Sequence, residues 1–297
     1  MNPLATEAQN MNAPGKPVPD RDRSIGTILI DAGRLSPEHA ERVLKVARES
    51  GLRFGDAALQ LGVIKQDDID FALARQFDYT YLPLGDKSVS AEVVAAYSPG
   101  APVVEALRAL RTQLMLRWFD ADTKHKTLAI VSPARGEGRS WLAANLAVVF
   151  SQLGERTLLI DADMRNPRQH ELFKLDNRVG LSAMLSGRAG TEVVRRITPL
   201  LGLSVLPAGA LPPNPSELLA RPAFGQALDA FSASYDVIII DTPDARHSAD
   251  AQTLASRAGG ALLLARQNVS VLEHLRSTAE SLASAGVTIV GSTLNEN

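Results

Sequence analysis

One segment of the chain has the residue types and spacing of a phosphate-binding loop. Residues 132–140, SPARGEGRS, follow the apolar run 128–131 and precede a helical pattern that starts near Trp141. The two glycines allow successive backbone N–H groups to face inward around an anion, and the N-terminus of the next helix favours negative charge at the same place. The hydroxyl of Ser140 suits a Mg²⁺ ion. The segment therefore predicts a nucleotide site.

The segment departs from the common sequence G-x-x-x-x-G-K-[ST] at two positions. Pro133 stands in place of the first glycine, and Arg139 stands in place of the lysine. On the loop alone, a glycine-containing turn between a strand and a helix explains the sequence as well as nucleotide binding does. The choice between them depends on residues farther along the chain.

Two later apolar runs end in carboxylates. They are residues 157–165, TLLIDADMR, and residues 235–243, YDVIIIDTP. Continuous apolar runs are typical of parallel strands buried on both faces, and ligands bind at the carboxyl ends of such strands. Each of Asp161, Asp163 and Asp241 alone would be a helix cap or a turn residue. Three strand-end motifs in this order favour one shared nucleotide site.

The composition limits the classes of protein. The chain has 297 residues, a net charge of −2 and no cysteine, which excludes disulfides, zinc-thiolate sites and a cysteine nucleophile. The balanced charge predicts no general affinity for nucleic acid. The polar start is unlike a secretion signal, and no apolar run is long enough to span a membrane. We expect a cytoplasmic protein that is peripheral to the inner membrane only through a partner.

The sequence divides into four parts. Residues 1–22 are rich in Pro, Asn and Ala and are predicted to be a disordered arm. Residues 23–83 are predicted to form a small, mainly helical domain. Residues 84–103, with Pro and Gly near both ends, are predicted to be a linker. Residues 104–297 contain the loop and the acidic motifs and are predicted to form an α/β domain.

The small domain contains two copies of one pattern. IGTILIDAGRL at 25–35 recurs as FGDAALQLGVI at 54–64, which is 29 residues later. Each copy predicts a short helix that ends at its second glycine, followed by another helix. The N-cap of that second helix is predicted to be Ser36 in the first copy and Gln66 or Asp67 in the second.

The loop and the two acidic motifs together resemble those of the bacterial tyrosine kinases that regulate polysaccharide chain length. The resemblance covers residues 104–297 and includes GLS at 180–182, LPAG at 206–209 and PPNP at 212–215. It implies a P-loop NTPase fold, with a mostly parallel sheet flanked by helices. It also implies ATP and Mg²⁺ as cofactors, phosphoryl transfer to tyrosine, and a membrane polysaccharide co-polymerase as partner.

The same resemblance implies roles for particular residues. Asp161 would orient or deprotonate the attacking hydroxyl, with Asp163 and Arg139 as further catalytic residues. Mg²⁺ would be held by Ser140, Asp163 and Asp241. Nucleotide binding is implied for two groups, one in the loop and one beside the base: Arg135, Gly136, Glu137, Gly138, Arg139, Ser140 and Trp141, then Pro213 and Asn214. For Trp141, packing is the alternative.

A helical motif resembles the one with which the same family assembles rings. It consists of Glu105, Arg108 and Arg111, at intervals of three residues. Its alternative is a solvated helix face with charge pairing along the helix.

Phosphoryl transfer to tyrosine is one of two functions that the sequence allows. The family's tyrosine cluster lies at the C-terminus, whereas no tyrosine follows Tyr235 here, which leaves Tyr79 and Tyr97 as candidate acceptors. The alternative is a nucleotide-controlled switch similar to the partition and septum-positioning ATPases. Ala134 stands where those proteins carry an additional lysine.

The small domain resembles the N-terminal domain of type II secretion and type IV pilus assembly ATPases. Their repeated motif starts with Arg-Leu-Gly and ends in Gln. The second copy here has Arg53, Gly55 and Gln76 at these places, whereas the first copy has Ser24 and Ala47 at its two ends. The resemblance implies either a docking role or binding of cyclic di-GMP.

Overall fold

A computed structural model describes residues 24–76, 81–82, 85–119 and 125–296. The chain divides into two compact units, residues 1–79 and residues 80–297. The predicted disordered arm at 1–22 and the predicted boundary between residues 83 and 84 lie outside the described residues. None of the helices in the described ranges is both long and apolar enough to span a bilayer.

The described residues of the first unit form four helices that repeat as predicted. They are α1 (Ile25–Asp31), α2 (Pro37–Ser50), α3 (Phe54–Gln60) and α4 (Gln66–Gln76). The helix α3 begins and ends 29 residues after α1, and α4 begins 29 residues after α2. The duplicated pattern is therefore confirmed as a duplicated helix pair.

The caps of the second helices agree with the prediction in one copy only. Ser36 is the N-cap of α2, and its Oγ accepts a hydrogen bond from His39 N at 3.2 Å. In the second copy Gln66 is already the first helical residue, so the cap position falls on Lys65. Asp68 Oδ2 reaches back and accepts from Lys65 N at 2.9 Å, which satisfies that donor from inside the helix.

Close packing explains the glycines that begin the two copies. A Cβ atom on Gly26 would lie 3.0 Å from the ring of Phe54, and one on Gly55 would lie 3.1 Å from Ile69. Each glycine therefore admits a large apolar side chain next to the backbone of its short helix. The resulting core of the first unit draws residues from all four helices.

The second unit is built on a seven-stranded sheet with the order β3-β4-β2-β5-β1-β6-β7. All neighbouring strands are parallel except β3 and β4. The strands are β1 (Thr127–Val131), β2 (Thr157–Asp161), β3 (Arg195–Arg196), β4 (Leu203–Leu206), β5 (Val237–Asp241), β6 (Gly260–Arg266) and β7 (Thr288–Asn295). Every residue of β1, β2 and β5 is buried, as their continuous apolar sequences predict.

Helices cover both faces of this sheet. The helices α6 and α7 pack on one face, and α9 to α13 pack on the other. The helices of the second unit are α5 (Val94–Tyr97), α6 (Pro102–Arg117), α7 (Arg139–Gln152), α8 (Gln169–Leu172), α9 (Leu181–Leu185), α10 (Pro215–Ala220), α11 (Pro222–Ser234), α12 (Asp250–Ala258) and α13 (Leu272–Ser284). The predicted fold class, a P-loop NTPase with a mostly parallel sheet flanked by helices, is confirmed.

The segment predicted to be a linker packs on the second unit. Val93 and Ala95 are fully buried in the core that also contains α7. Two buried amides of α7 bond the backbone of Ala95: Asn145 Oδ1 accepts from its N–H at 2.9 Å, and Gln152 Nε2 donates to its carbonyl at 2.9 Å. Part of the predicted linker therefore belongs to the packed core of the second unit.

The segments GLS and LPAG meet in the fold at a glycine that has no room for a side chain. Leu181 N donates to Pro207 O at 2.8 Å, and Ser182 N donates to Ala208 O at 2.9 Å. A Cβ atom on Gly180 would lie 2.1 Å from Pro207 O.

We expect Gly180→Ala to destabilise the protein by about 2–3 kcal/mol, because the obstructing atom belongs to the backbone and overpacking costs of this order are usual. Thermal unfolding measures the change. Gly100→Ala is the matched control, since a Cβ atom there meets no heavy atom within 4 Å. Equal melting temperatures for the two variants would contradict the close approach.

Candidate nucleotide and metal site

The topology brings the three predicted motifs to one edge of the sheet. The strands β2, β5 and β1 are neighbours, and Asp161 is the register partner of Asp241. The loop 132–138 follows β1, and α7 begins directly after it at Arg139. The carboxyl ends of three adjacent strands therefore carry the loop and both acidic motifs, as the sequence predicts.

Two glycines give the loop its shape. Gly136 has φ = 82° and Gly138 has φ = 101°, values that side chains other than glycine rarely adopt. Arg135 and Gly136 are exposed, so their backbone N–H groups are accessible to a ligand. The 14-residue helix α7 starts at this point and adds its positive end to the loop.

Arg139 is buried and bonded to the protein itself. Its Nε donates to Thr242 O at 2.9 Å, and its Nη1 donates to Ala134 O at 2.6 Å and to Ser132 Oγ. The guanidinium thus ties the loop to the residue that follows β5. A phosphate group bound by Arg139 would replace some of these contacts.

Glu137 lies inside the loop, and its buried carboxylate stabilises the loop's shape. Its Oε2 accepts from Ala134 N at 2.7 Å, and its Oε1 accepts from the hydroxyl of Ser270. The Ser270 Oγ atom also accepts from Arg266 N at 2.7 Å. Any contribution of the Glu137 side chain to nucleotide binding is therefore through the conformation of the loop.

Residues at the ends of β6 and β7 hold the carbonyl groups of the loop. Arg266 Nη1 donates to Gly136 O at 2.9 Å, and Asn295 Nδ2 donates to Glu137 O at 3.1 Å. The last strand is longer than the apolar run 287–290 and extends to Asn295, whose carbonyl accepts from Gln267 N at 2.8 Å. Sequence reasoning missed this support because the residues lie more than a hundred positions from the loop.

We expect Ser270→Ala to weaken nucleotide binding about tenfold. The substitution leaves a buried carboxylate oxygen of Glu137 without its donor, and an unsatisfied buried group costs about 1–3 kcal/mol. The loop can avoid this cost by rearranging, and the rearranged loop should bind the nucleotide less tightly. Calorimetry with ADP measures the effect. The control is Ser284→Ala, because Ser284 Oγ only donates to Ser281 O on α13; equal losses in both variants would contradict a role of Ser270 in the loop.

Asp161 is fully buried beside the loop. Its Oδ2 accepts from Arg168 N at 3.0 Å and from Gln169 N at 2.9 Å. Burial raises the pKa of the carboxyl well above its usual value, and the nearby charge of Asp241 raises it further. Its Oδ1 is buried and has no hydrogen-bond partner among the described residues.

Asp241 shares this environment. Its Oδ2 accepts from Gln169 Nε2 at 2.8 Å. Burial raises the pKa of Asp241 to about 6, although hydrogen bonds from Gln169 and Ser140 and the charge of Arg139 oppose the shift. Its Oδ1 is also buried and has no partner within the described ranges.

The carboxylate of Asp241 fits a magnesium ion that is shared with a nucleotide. The described part of the chain contains no group of three or more His, Cys, Asp or Glu residues that could hold a metal. Protein sites for Mg²⁺ in nucleotide enzymes commonly use one or two carboxylates and complete the shell with phosphates and water. The unbonded buried oxygen of Asp241, beside Ser140, matches that donor set, and the unbonded oxygen of Asp161 is left for the attacking hydroxyl.

Other predicted site residues have contacts of their own. Asp163 is buried, and its Oδ1 accepts from Asn166 N at 3.0 Å. Trp141 is half-buried and packs against the core around α7, which favours the packing alternative. Pro213 and Asn214 precede α10, and the side chain of Asn214 bonds Glu217.

The residues of the ring motif are bonded within the chain. Arg108 pairs with Glu105 on the same helix and donates to Pro99 O at 2.9 Å and to Tyr81 Oη. Arg111 donates to Val149 O at 2.7 Å. These contacts are those of the charge-paired helix, and the ring stays a prediction.

The cyclic di-GMP candidates are spread over two helices of the first unit. Arg53 is the N-cap of α3, Gly55 packs on Ile69, and Gln76 is the last residue of α4. Their role in ligand binding stays a prediction.

The structure adds Gln169 to the site. It lies at the start of α8, is fully buried, and bonds Ser140 O at 3.0 Å in addition to both carboxylates. No sequence pattern indicated this residue, because a single Gln after a strand-end loop is ordinary.

Comparison with known proteins agrees with this geometry. Residues 126–292 match the family described as cellulose biosynthesis protein BcsQ. The tyrosine-protein kinase YwqD of Bacillus subtilis (strain 168) is 36% identical over 203 residues, which are 68% of this chain and 85% of YwqD. EpsB of Ralstonia solanacearum is 37% identical over 230 residues, 73% of this chain, but the chain spans only 30% of EpsB.

A solved structure shows the same relationship. The kinase domain of the Escherichia coli tyrosine kinase ETK superposes with a TM-score of 0.66 at 33% identity, covering 73% of this chain and 80% of that domain. The similarity to YwqD over most of its length, together with the superposition on the ETK kinase domain, shows that the chain belongs to the family of bacterial tyrosine kinases.

Proposed function

We propose that the chain is an ATP-dependent protein tyrosine kinase. The observation that carries the proposal is the pair of buried carboxylates, Asp161 and Asp241, in register on adjacent strands beside a phosphate-binding loop. Such a pair suits phosphoryl transfer, in which positioning and charge stabilisation provide most of the catalysis.

Each part of the site has a role in this proposal. Backbone N–H groups between Arg135 and Ser140 hold the β- and γ-phosphates. Asp161 orients the attacking hydroxyl and accepts its proton, which its raised pKa favours. Ser140 and Asp241 hold Mg²⁺, with Asp163 nearby. The ion supplies charge neutralisation on the phosphate oxygens when it is bound.

The direct test is incubation of the purified protein with γ-labelled ATP and Mg²⁺. Label on tyrosine supports a kinase, and release of phosphate without protein labelling supports the alternative of a nucleotide-controlled switch. Tyr97 is one acceptor to examine: its hydroxyl donates to Val89 O at 2.5 Å and the ring is half-buried. Tyr97→Phe removes the labelled site if Tyr97 is the acceptor.

The proposal includes a membrane partner. The relatives are named tyrosine-protein kinases, and the matching family model is described as a cellulose biosynthesis protein, which supports a role in exopolysaccharide chain length together with a membrane co-polymerase. The protein would then be peripheral to the inner membrane. Addition of the membrane protein encoded beside it to the labelling reaction tests this, and an unchanged rate of labelling would count against the partnership.

We also propose assembly into a ring through Glu105, Arg108 and Arg111. The single variant Glu105→Arg should then dissociate the oligomer, because the new cation would face the guanidinium groups of Arg108 and Arg111 on the neighbouring subunit. Light scattering in ATP and in ADP measures the mass. The same mass for wild type and variant would favour the charge-paired helix, for which Glu105 and Arg108 already provide the pair.

A further inference from the structure

Gln169 connects three parts of the site. Its Nε2 donates to Asp241 Oδ2 at 2.8 Å and to Ser140 O at 3.0 Å. Its backbone N–H donates to Asp161 Oδ2 at 2.9 Å. One fully buried residue thus contacts both carboxylates and Ser140 in the first turn of the loop helix.

These bonds fix the orientation of the carboxylates. A carboxylate rotates about its Cβ–Cγ bond, so a hydrogen bond to one oxygen also sets the direction of the other. Gln169 bonds the Oδ2 atom of each aspartate, while both Oδ1 atoms are buried without a partner in the described part of the chain. The arrangement leaves one oxygen of each carboxylate for a ligand.

The chemistry of an amide suits this task. A lysine or arginine at position 169 would orient Asp241 equally well but would neutralise its charge, whereas an amide donates a hydrogen bond and carries no net charge. The negative charge of ionised Asp241 is therefore left for a divalent cation. The turn that presents Gln169 is held by Arg168, whose Nη2 pairs with Glu92 at 3.0 Å.

We propose that Gln169 is a positioning residue for the magnesium site. Its side chain holds Asp241 so that the second oxygen of that carboxylate is preset for the ion, in the way that outer partners orient metal ligands in other proteins, while its backbone N–H orients Asp161 beside the ion site. This inference rests on the proposed function, because it needs the nucleotide and the ion to bind at this loop.

The test measures binding and does not need turnover. A fluorescent ADP analogue is titrated into wild type and Gln169→Met, once with Mg²⁺ and once with EDTA. Loss of an outer partner costs about 10- to 100-fold in metal affinity, so the enhancement of ADP binding by Mg²⁺ should fall at least about tenfold. Affinity in EDTA should stay the same, because Gln169 bonds no N–H group of the loop.

The matched control is Gln152→Met. Gln152 is also buried, and its Nε2 donates to Ala95 O at 2.9 Å, at the opposite end of α7. It should show the wild-type enhancement. If Gln169→Met fails to fold, Gln169→Asn keeps an amide but retracts it by one methylene, and the same loss is expected.

The outcomes separate the two hypotheses. A wild type that binds no nucleotide would overturn the proposed function. A wild type whose ADP binding depends on Mg²⁺, beside a folded Gln169 variant with the same dependence, would overturn only the positioning role. Equal losses in EDTA and in Mg²⁺ would show that Gln169 supports the fold and would also overturn that role.

Discussion

Replacing Asp161 with asparagine should reduce ATP turnover by about 10²- to 10⁴-fold, the usual contribution of a general base. Asparagine keeps the shape and the acceptor oxygen for the N–H groups of Arg168 and Gln169, but it cannot take a proton. Asp241→Asn should have an effect of the same order, because it removes a charge from the proposed metal site. Steady-state release of phosphate measures both variants.

Although Asp241→Asn should lower turnover, we expect it to raise the stability of the fold at neutral and higher pH. Burial raises the pKa of Asp241 from 3.8 to about 6, so the native state binds its proton more tightly than the unfolded chain does. The stability that this group contributes is present below pH 3.8 and is lost as the pH rises through about 6. The substitution Asp241→Asn removes this loss of stability at higher pH, because asparagine does not ionise. At pH 8 the variant should therefore melt above wild type, and the difference should shrink towards pH 4.

Asp236→Asn is the control for the turnover measurement. Asp236 directly precedes β5, at the opposite end of the strand from Asp241, and it pairs with Arg156 at 2.6 Å. It should leave turnover unchanged. Wild-type turnover in a folded Asp241→Asn protein would contradict the assignment of Asp241 to the metal site.

The predictable parts of the molecule are those set by local sequence. Unbroken apolar runs identified the central strands, and the rule that parallel strands bind ligands at their carboxyl ends located Asp161 and Asp241 together. The 29-residue spacing of the small domain followed from glycines that its packing requires. Each of these features depends on the periodicity of the local sequence and on contacts with few other residues.

The remaining parts depend on contacts between distant residues. Nothing near Gly136 or Glu137 in the sequence indicates that Arg266 and Asn295 bond their carbonyls. The described part of the predicted linker, residues 85–103, has the Pro and Gly content of a linker, and the buried amides of Asn145 and Gln152 on α7 explain why it packs. Contacts between side chains that are distant in the sequence leave no periodic pattern in it, so the sequence did not indicate Gln169 as a site residue either.

Arg139 is the residue at which the loop departs most from the common sequence, and its contacts make its substitution informative. The planar guanidinium bonds Thr242 O, Ala134 O and Ser132 Oγ at once. A lysine carries a compact charge with three donors, so it can keep part of this set while it reaches the phosphates. We therefore expect the wild-type protein, which has Arg139 in the loop, to bind ATP and to hydrolyse it slowly.

We expect Arg139→Ala to weaken nucleotide binding by about one to two powers of ten, since a charge-assisted hydrogen bond contributes about 1.5–3 kcal/mol. It should also lower the melting temperature, because buried carbonyls at Ala134 and Thr242 lose their donor. Arg139→Lys should bind nucleotide as wild type does and hydrolyse it faster. Calorimetry separates the affinities, and phosphate release measures the rates. An inactive Arg139→Lys beside a competent wild-type kinase would mean that Ser132, Ala134 and Thr242 form a site built around the guanidinium, which a lysine cannot replace.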